Sequence, residues 1–209
     1  MMPGMSDVPK RPRSGSVPVI MVPQCVPSRV CLACEVCCRF PEEDSFLRPY
    51  FTGEEIERAI KEGIDASSFP DLKGSQIRVV PNPSGEGYLC PAFDPETFHC
   101  RIYEQRPLDC KIYPFTLMWN GNHTAVTLGW DRKCPFMMND ATQRDDADAL
   151  LPEMTQYASD MQELLESDQV VDLVLKNLQL ITRFQDDVVI LGILSNLTTR
   201  LIRSDLAIP

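Results

Sequence analysis

Four cysteines lie within eight residues of this chain, in the run Cys31-Leu-Ala-Cys34-Glu-Val-Cys37-Cys38. Thiolate sulfur binds zinc at about 2.3 Å and also holds the iron of iron–sulfur clusters. A gap of two residues between cysteines lets one turn of chain direct two sulfurs at one ion, and the gap recurs in zinc ribbons and ferredoxins. The run therefore predicts a protein that binds zinc or an iron–sulfur cluster, the latter of the 4Fe–4S type.

Eight of the nine cysteines are candidate metal ligands. They are Cys31, Cys34, Cys37, Cys38, Cys90, Cys100, Cys110 and Cys134. Cys25 has no partner at ligand spacing, so we expect it not to be a ligand. Adjacent side chains in extended backbone point to opposite faces, so Cys37 and Cys38 would serve two sites, or one of them would be a bystander. The spacing leaves open two four-sulfur sites or one site with spare thiols.

Basic residues stand next to four of the candidate ligands: Arg39, Arg101, Lys111 and Lys133. Nearby cations favour the thiolate form and would offset the negative charge of a sulfur cage. The alternatives are a buried group of inert thiols and a framework of disulfides. The density of cysteine argues against the first, and no stretch of the sequence resembles an export signal, which argues against the second. We expect a cytoplasmic protein whose thiols stay reduced.

The net charge of −10 limits the classes of partner. Residues 140–169 hold nine Asp or Glu and one base, Arg144. Such a surface repels phosphate backbones, so we expect no nucleic-acid binding. We interpret it as a solvated helical face, with a protein partner for these helices left open. The apolar run at residues 17–23 is too short to cross a bilayer, so we expect no membrane span.

Motifs for catalysis are missing from the sequence. The two histidines, His99 and His123, are expected to be exposed, so Ser-His-Asp or Cys-His catalysis is not indicated. No metalloprotease helix, phosphate-binding loop or dinucleotide fingerprint is present. Trp119 and Trp130 are expected in the core. Whether the protein is an enzyme stays open.

The chain divides into three segments. Residues 1–24 resemble a disordered tail, 25–138 carry every cysteine, and 139–209 are acidic and mainly helical. The predicted class is α+β, with a small cysteine-rich metal-binding domain of short strands and a hairpin, followed by a helical C-terminal extension.

Local signals place several elements. A capping box at Thr52 and Glu55 predicts a helix over 53–62, ended by Gly63. Strands are predicted over 77–80 and 87–90. A hairpin is predicted over 116–128, with a tight primed turn at Asn120-Gly121.

The C-terminal region carries weaker signals. A helix is predicted over 157–166, and a second helix, capped by Ser167 or Asp168, over about 169–184. The β-branched run 188–191 is consistent with a buried strand, with a helix as the alternative.

The cysteine run, followed by Cys90-Pro-Ala-Phe and by Cys100-Arg-Ile-Tyr-Glu-Gln-Arg-Pro-Leu-Asp-Cys110-Lys-Ile-Tyr-Pro-Phe, resembles the CxxCxxCC zinc- or iron-chelating family, the YkgJ-type cysteine cluster proteins. The resemblance runs from Cys31 to Cys134 and implies metal chelation. Flagellin lysine N-methylases are similar over this module, which makes a metal-dependent enzyme the alternative function.

Arg106 lies between two of the candidate ligands and precedes Pro107, which stiffens the path to Cys110. Its guanidinium could donate a hydrogen bond to a cluster sulfur or bind an anion, and Arg106 is the candidate cofactor-binding residue. A surface salt bridge is the alternative role.

Overall fold

A computed structural model describes residues 20–34, 36–136 and 152–204 of the chain. The protein is mixed α+β, with short antiparallel strands in the cysteine-rich part and helices in the C-terminal part, as the sequence predicts. The α-helices described are α1 (Ser28–Cys31), α2 (Gly53–Lys61), α3 (Leu108–Ile112), α4 (Pro152–Glu166), α5 (Asp168–Lys176) and α6 (Ser195–Arg203). Short 3-10 helices cover Val36–Cys38, Ala66–Ser68, Tyr103–Gln105 and Leu178–Leu180.

The strands form small antiparallel sheets. They are β1 (Arg39–Phe40), β2 (Tyr50–Thr52), β3 (Gly74–Gln76), β4 (Val80–Pro81), β5 (Tyr88–Leu89), β6 (Phe93–Asp94), β7 (His99–Cys100), β8 (Phe115–Trp119), β9 (Val126–Asp131) and β10 (Val188–Ile193). Among the described residues, two sheets have three strands each, in the orders β1-β5-β4 and β10-β9-β8. Two further sheets have two strands each, β2 with β3 and β6 with β7.

The capping box that begins α2 is confirmed. The Thr52 hydroxyl accepts from the Glu55 N–H, and the Glu55 carboxylate accepts from the Thr52 N–H at 2.9 Å. Gly63 follows the helix with a φ of +94°, a conformation that only glycine adopts without strain. Local hydrogen bonds therefore define both ends of α2.

The hairpin is confirmed, but its predicted tight turn is wrong. Trp119 of β8 pairs with Val126 of β9, so residues 120–125 form a six-residue loop. The side-chain oxygen of Asn120 accepts hydrogen bonds from the N–H groups of Thr124 and Ala125. These bonds stabilise a wider loop, and they outcompete the two-residue turn that Asn-Gly favours.

The strand predicted over 77–80 is displaced. Only Val80 belongs to a strand, β4, which pairs with β5 as expected. The Ile77 N–H donates to the Pro49 carbonyl, and the Arg78 N–H to that of Ser68. Because their backbone donors are used elsewhere, these residues cannot extend β4.

The C-terminal predictions are confirmed in type and corrected in length. The first helix, α4, begins at Pro152 rather than 157. The second, α5, has Ser167 as its N-cap but ends at Lys176, where Asn177 leaves helical geometry, so the predicted extension to 184 is wrong. The run at 188–191 is a strand, β10, but the expectation that it is buried is wrong beyond Val188, because Ile190 is exposed and Val189 and Leu191 are half-buried.

The described residues form two hydrophobic cores. The first packs helices α3 to α6 against the sheet β10-β9-β8 and includes both predicted core tryptophans, Trp119 and Trp130. The second packs α2 against the short strands, around Phe51, Ile56 and Leu89. The predicted boundary at residues 138 and 139 lies outside the described residues, and the chain on its two sides shares the first core.

The N-terminal tail predicted to be disordered lies mostly outside the described residues. Residues 20–24 are described, and here Ile20 and Val22 pack against the first core. The Gln24 side-chain amide donates to the Tyr103 hydroxyl at 2.8 Å. In the described part of the chain, every helix is too short or too polar to cross a bilayer.

Candidate metal centre

All eight candidate ligands lie on the wall of one cavity of about 270 Å³. They are Cys31, Cys34, Cys37, Cys38, Cys90, Cys100, Cys110 and Cys134. The cavity lies where the two cores meet: Cys134 belongs to the first core and Cys31 packs against it, whereas Cys90 belongs to the second. All nine cysteines lie in the described ranges, and none of them forms a disulfide. We refer to this space as the thiol cavity.

The cysteine run folds so that its thiols return to one place. Cys31 is the last residue of α1, and the Cys34 N–H donates to its carbonyl. Cys37 and Cys38 follow in the 3-10 helix Val36–Cys38. The β1–β5 pairing then brings in a distant segment, because the Cys90 N–H donates to the Cys38 carbonyl at 2.9 Å.

The remaining ligand candidates arrive from separate elements. Cys100 ends β7 and pairs with Phe93 of β6. Cys110 lies in α3. Cys134 follows β9, where its N–H donates to the Asp131 carbonyl. Because the cysteines themselves come from segments far apart in sequence, between Cys31 and Cys134, the cavity forms only when those segments fold together.

Cys37 and Cys38 do not lie in extended backbone, so the expectation that they face opposite ways is wrong. In the 3-10 turn the side chains of Cys37 and Cys38 are close enough to interact, and hydrogen bonding between the two thiols lowers the pKa of Cys37 and raises that of Cys38. Both adjacent sulfurs can therefore serve one centre.

The charge of Cys37 raises the pKa of several other thiols in the cavity. Burial is the largest cause of a raised pKa at four of them, and the charge of Cys37 adds to it. These are Cys31, Cys90, with a pKa of about 12, Cys100 and Cys110. These four thiols therefore favour the protonated form, and a metal that binds them displaces their protons.

Arg106 lies on the wall of the thiol cavity. Its guanidinium carbon is 3.7 Å from the centre of the Tyr103 ring, and its Nε donates to the Tyr103 carbonyl at 2.8 Å. Hydrogen bonding and charge from Arg106 both lower the pKa of Cys31, against the larger effect of burial. Within the described residues Arg106 forms no ion pair with a carboxylate, and its charge also lowers the pKa of Cys37 and that of Cys100.

Cys25 is not part of the cavity wall. It is buried, and its Sγ lies 3.3 Å from the Sδ of Met154. Burial, followed by the charges of Cys134 and Cys31, raises the pKa of Cys25 to about 11. That Cys25 is not a ligand stays a prediction.

The thiols surround a space, not a point. Across the described ranges, no three Cys, His, Asp or Glu side chains converge closely enough to hold a single ion. The donor set nevertheless fits soft metals, because eight thiols share one wall and a cation adjoins them. The residues fit a thiolate-bound metal centre on condition that the sulfurs move inward when it binds.

The histidines lie outside this set. His99 is exposed as expected. The expectation for His123 is wrong: this side chain is half-buried, and its ring stacks on Trp119 with centroids 6.3 Å apart. The aromatic stack exists because the six-residue hairpin loop folds back over β8.

Two acidic residues that the sequence did not single out hold α3, the helix of Cys110. Glu55 is buried, and one of its carboxylate oxygens accepts from the Leu108 N–H at 2.7 Å while the other serves the α2 cap. Asp109 accepts from the Tyr50 N–H at 2.9 Å, and burial raises its pKa to about 6. The capping box revealed the local role of Glu55, but no sequence signal indicated its bond to α3.

Comparison with known proteins agrees with the cysteine constellation. No curated protein and no solved structure matches the chain. Residues 30–140 match the CxxCxxCC family, which is described as a putative zinc- or iron-chelating domain. This segment holds the thiol cavity's cysteines and covers more than half of the sequence. The chain therefore belongs to the CxxCxxCC family.

Proposed function

We propose that this protein binds an iron–sulfur cluster through cysteine thiolates, with zinc as the second candidate. The observation that carries the proposal is the convergence of eight thiols, from the CxxCxxCC run and four distant segments, on one cavity of about 270 Å³. Thiolate donors select zinc and iron–sulfur clusters over hard cations such as magnesium or calcium.

The number and spread of the thiols favour a cluster over one ion. Four thiolates around zinc form a compact tetrahedron, whereas eight thiols line this cavity of about 270 Å³. A cluster is larger, and its ligands stand further apart. The best candidates for its ligands are Cys37 and the thiols whose pKa its charge raises: Cys31, Cys38, Cys90, Cys100 and Cys110.

Positive charge near the site supports the same proposal. A cluster held by four thiolates carries net negative charge, and Arg106 lies on the cavity wall beside Cys31. Cations and hydrogen-bond donors near the sulfurs set the reduction potential of iron–sulfur centres. Arg106 would stabilise the more negative, reduced state.

The test is anaerobic purification followed by visible absorbance and by assays for iron, acid-labile sulfide and zinc. Brown protein with iron and sulfide in similar amounts is the expected result. Colourless protein with stoichiometric zinc would replace the cluster by a zinc site. Protein that holds neither metal, and that takes up neither on reconstitution, would overturn metal binding.

The enzymatic alternative, a relative of flagellin lysine N-methylase, stays a prediction from resemblance. Stabilisation by S-adenosylmethionine in a thermal-shift assay would support it.

A further inference from the structure

A second cavity adjoins the thiol cavity. It measures about 330 Å³, and the two share a wall made of Val36, Cys37, Cys110 and Tyr113. Any molecule in the second cavity therefore lies directly beside the thiols that face the first. We refer to this space as the side cavity.

One carboxylate on the wall of the side cavity has no cationic partner. Asp109 uses Oδ2 to accept from the Tyr50 N–H, and its Oδ1 accepts no hydrogen bond from any described residue. Among the described residues Asp109 also forms no ion pair. A half-buried carboxylate on a cavity wall, without a counter-charge among these residues, is suited to an incoming cation.

The three cations on the same wall contact groups other than Asp109. Lys133 pairs with Asp187 and lies 3.7 Å from Asp131. Arg48 donates from Nε to the Ser45 carbonyl at 2.8 Å. The Arg39 guanidinium lies 6.0 Å from the centre of the Phe93 ring. None of the three is an ion-pair partner of Asp109.

The rest of the wall suits the apolar part of a small organic molecule. Phe40, Phe46, Leu47 and Phe115 supply apolar surface. The Gln185 amide is buried and already donates to the Thr182 hydroxyl, which leaves its carbonyl oxygen as an acceptor. Apolar surface with a few convergent acceptors is the usual character of a small-molecule site.

We propose that the side cavity binds a small organic cation, with an ammonium or guanidinium group on Asp109 and an apolar stem against the aromatic side chains. The ligand would lie next to Cys37 and Cys110, in contact with the surroundings of the metal centre. This site is additional to metal binding.

The test uses the protein as purified, with its metal content measured first. Four small probes that differ mainly in their head group are compared: butylammonium, butylguanidinium, butyrate and 1-butanol. We expect both cations to raise the melting temperature and to shift the Tyr50 amide resonance in nitrogen–proton correlation spectra. The Tyr50 N–H reports on the site because it donates to Asp109.

Asp109→Asn retains an acceptor for Tyr50 but removes the charge. A hydrogen bond to a charged group contributes more binding free energy than one to a neutral group. We therefore expect this change to weaken binding of both cations by about 10- to 100-fold. The matched control is Asp65→Asn, an exposed carboxylate that likewise accepts a backbone N–H, from Ser67 at 2.8 Å. It should bind as the parent protein does.

Three results would overturn the proposal: a Tyr50 resonance that does not move with either cation, equal binding of butyrate, or equal affinity in Asp109→Asn. Because the metal assay is separate, loss of the organic-cation site and loss of the metal proposal give different results.

Discussion

Cys37 combines features that the other thiols of the cavity lack. It is exposed as a whole residue, yet its thiol is hydrogen-bonded to that of Cys38, and its charge acts on several other thiols. We therefore expect Cys37→Ser and Cys110→Ser to lose most of the bound metal. The measurement is the ratio of metal to protein after purification.

Cys25→Ser is the matched control for these variants, because Cys25 is a buried cysteine of the same region that lies off the cavity wall. It should retain the metal. Full retention by both Cys37→Ser and Cys110→Ser would contradict the ligand assignment.

Asp109 makes stability depend on pH. Burial raises its pKa from 3.8 to about 6, so the folded state binds more protons than the unfolded state between these values. Stability from this group falls as the pH rises through that window, and the loss is complete above about pH 6. Asp109→Asn should therefore stabilise the protein at pH 7.5, by about 2 kcal/mol. Urea unfolding measures the difference.

At pH 2.5 the Asp109 carboxyl is almost fully protonated in both states, and there the variant should show no such gain. An equal gain at both pH values would contradict the assigned cause.

At the scale of elements, Glu55 joins helix α2 to helix α3. Its two carboxylate oxygens accept from the N–H groups of Thr52 and Leu108, and the residue is buried. Glu55→Gln replaces one acceptor by a donor and leaves one N–H group unpaired. The expected cost is about 1–3 kcal/mol of unfolding free energy in urea.

Because α3 carries Cys110, the same variant should also bind metal more weakly. Glu57→Gln is the control, since Glu57 is exposed on the same helix, and it should change neither quantity. Unchanged stability in Glu55→Gln would show that the bond to Leu108 does not hold α3.

For the whole molecule, the thiol cavity is the junction of the two cores. Cys31 packs against the first core, and Cys38, Cys90 and Cys100 against or within the second. A metal that binds sulfurs from both sides links them, and its binding energy adds to folding stability. Removal by a chelator should lower the melting temperature of the whole protein, with a stability loss of about 4 kcal/mol for a centre present at a thousand times its dissociation constant.

Hydrogen exchange shows where that stability is lost. Leu89 of the second core and Leu117 of the first are both buried strand residues. Their amides should both exchange faster after chelation, and Cys110→Ser, already without metal, should not respond. Faster exchange in one core alone would mean that the metal does not link them.

Features that depend only on neighbouring residues could be predicted from the order of amino acids. The capping box of α2 is closed by hydrogen bonds between residues three apart, so Thr52 and Glu55 define it in any context. The β-branched run of β10 is likewise a local signal. The cysteine spacing was sufficient to recognise the family.

The way in which distant segments meet could not be predicted from local patterns and is seen only in the folded structure. The β8–β9 register, not the Asn-Gly pair, set the length of the hairpin loop. The 3-10 turn brought Cys37 and Cys38 together, and the β1–β5 pairing brought Cys90 to them. Each outcome depends on hydrogen bonds between residues far apart in sequence, whose energies a local pattern does not contain.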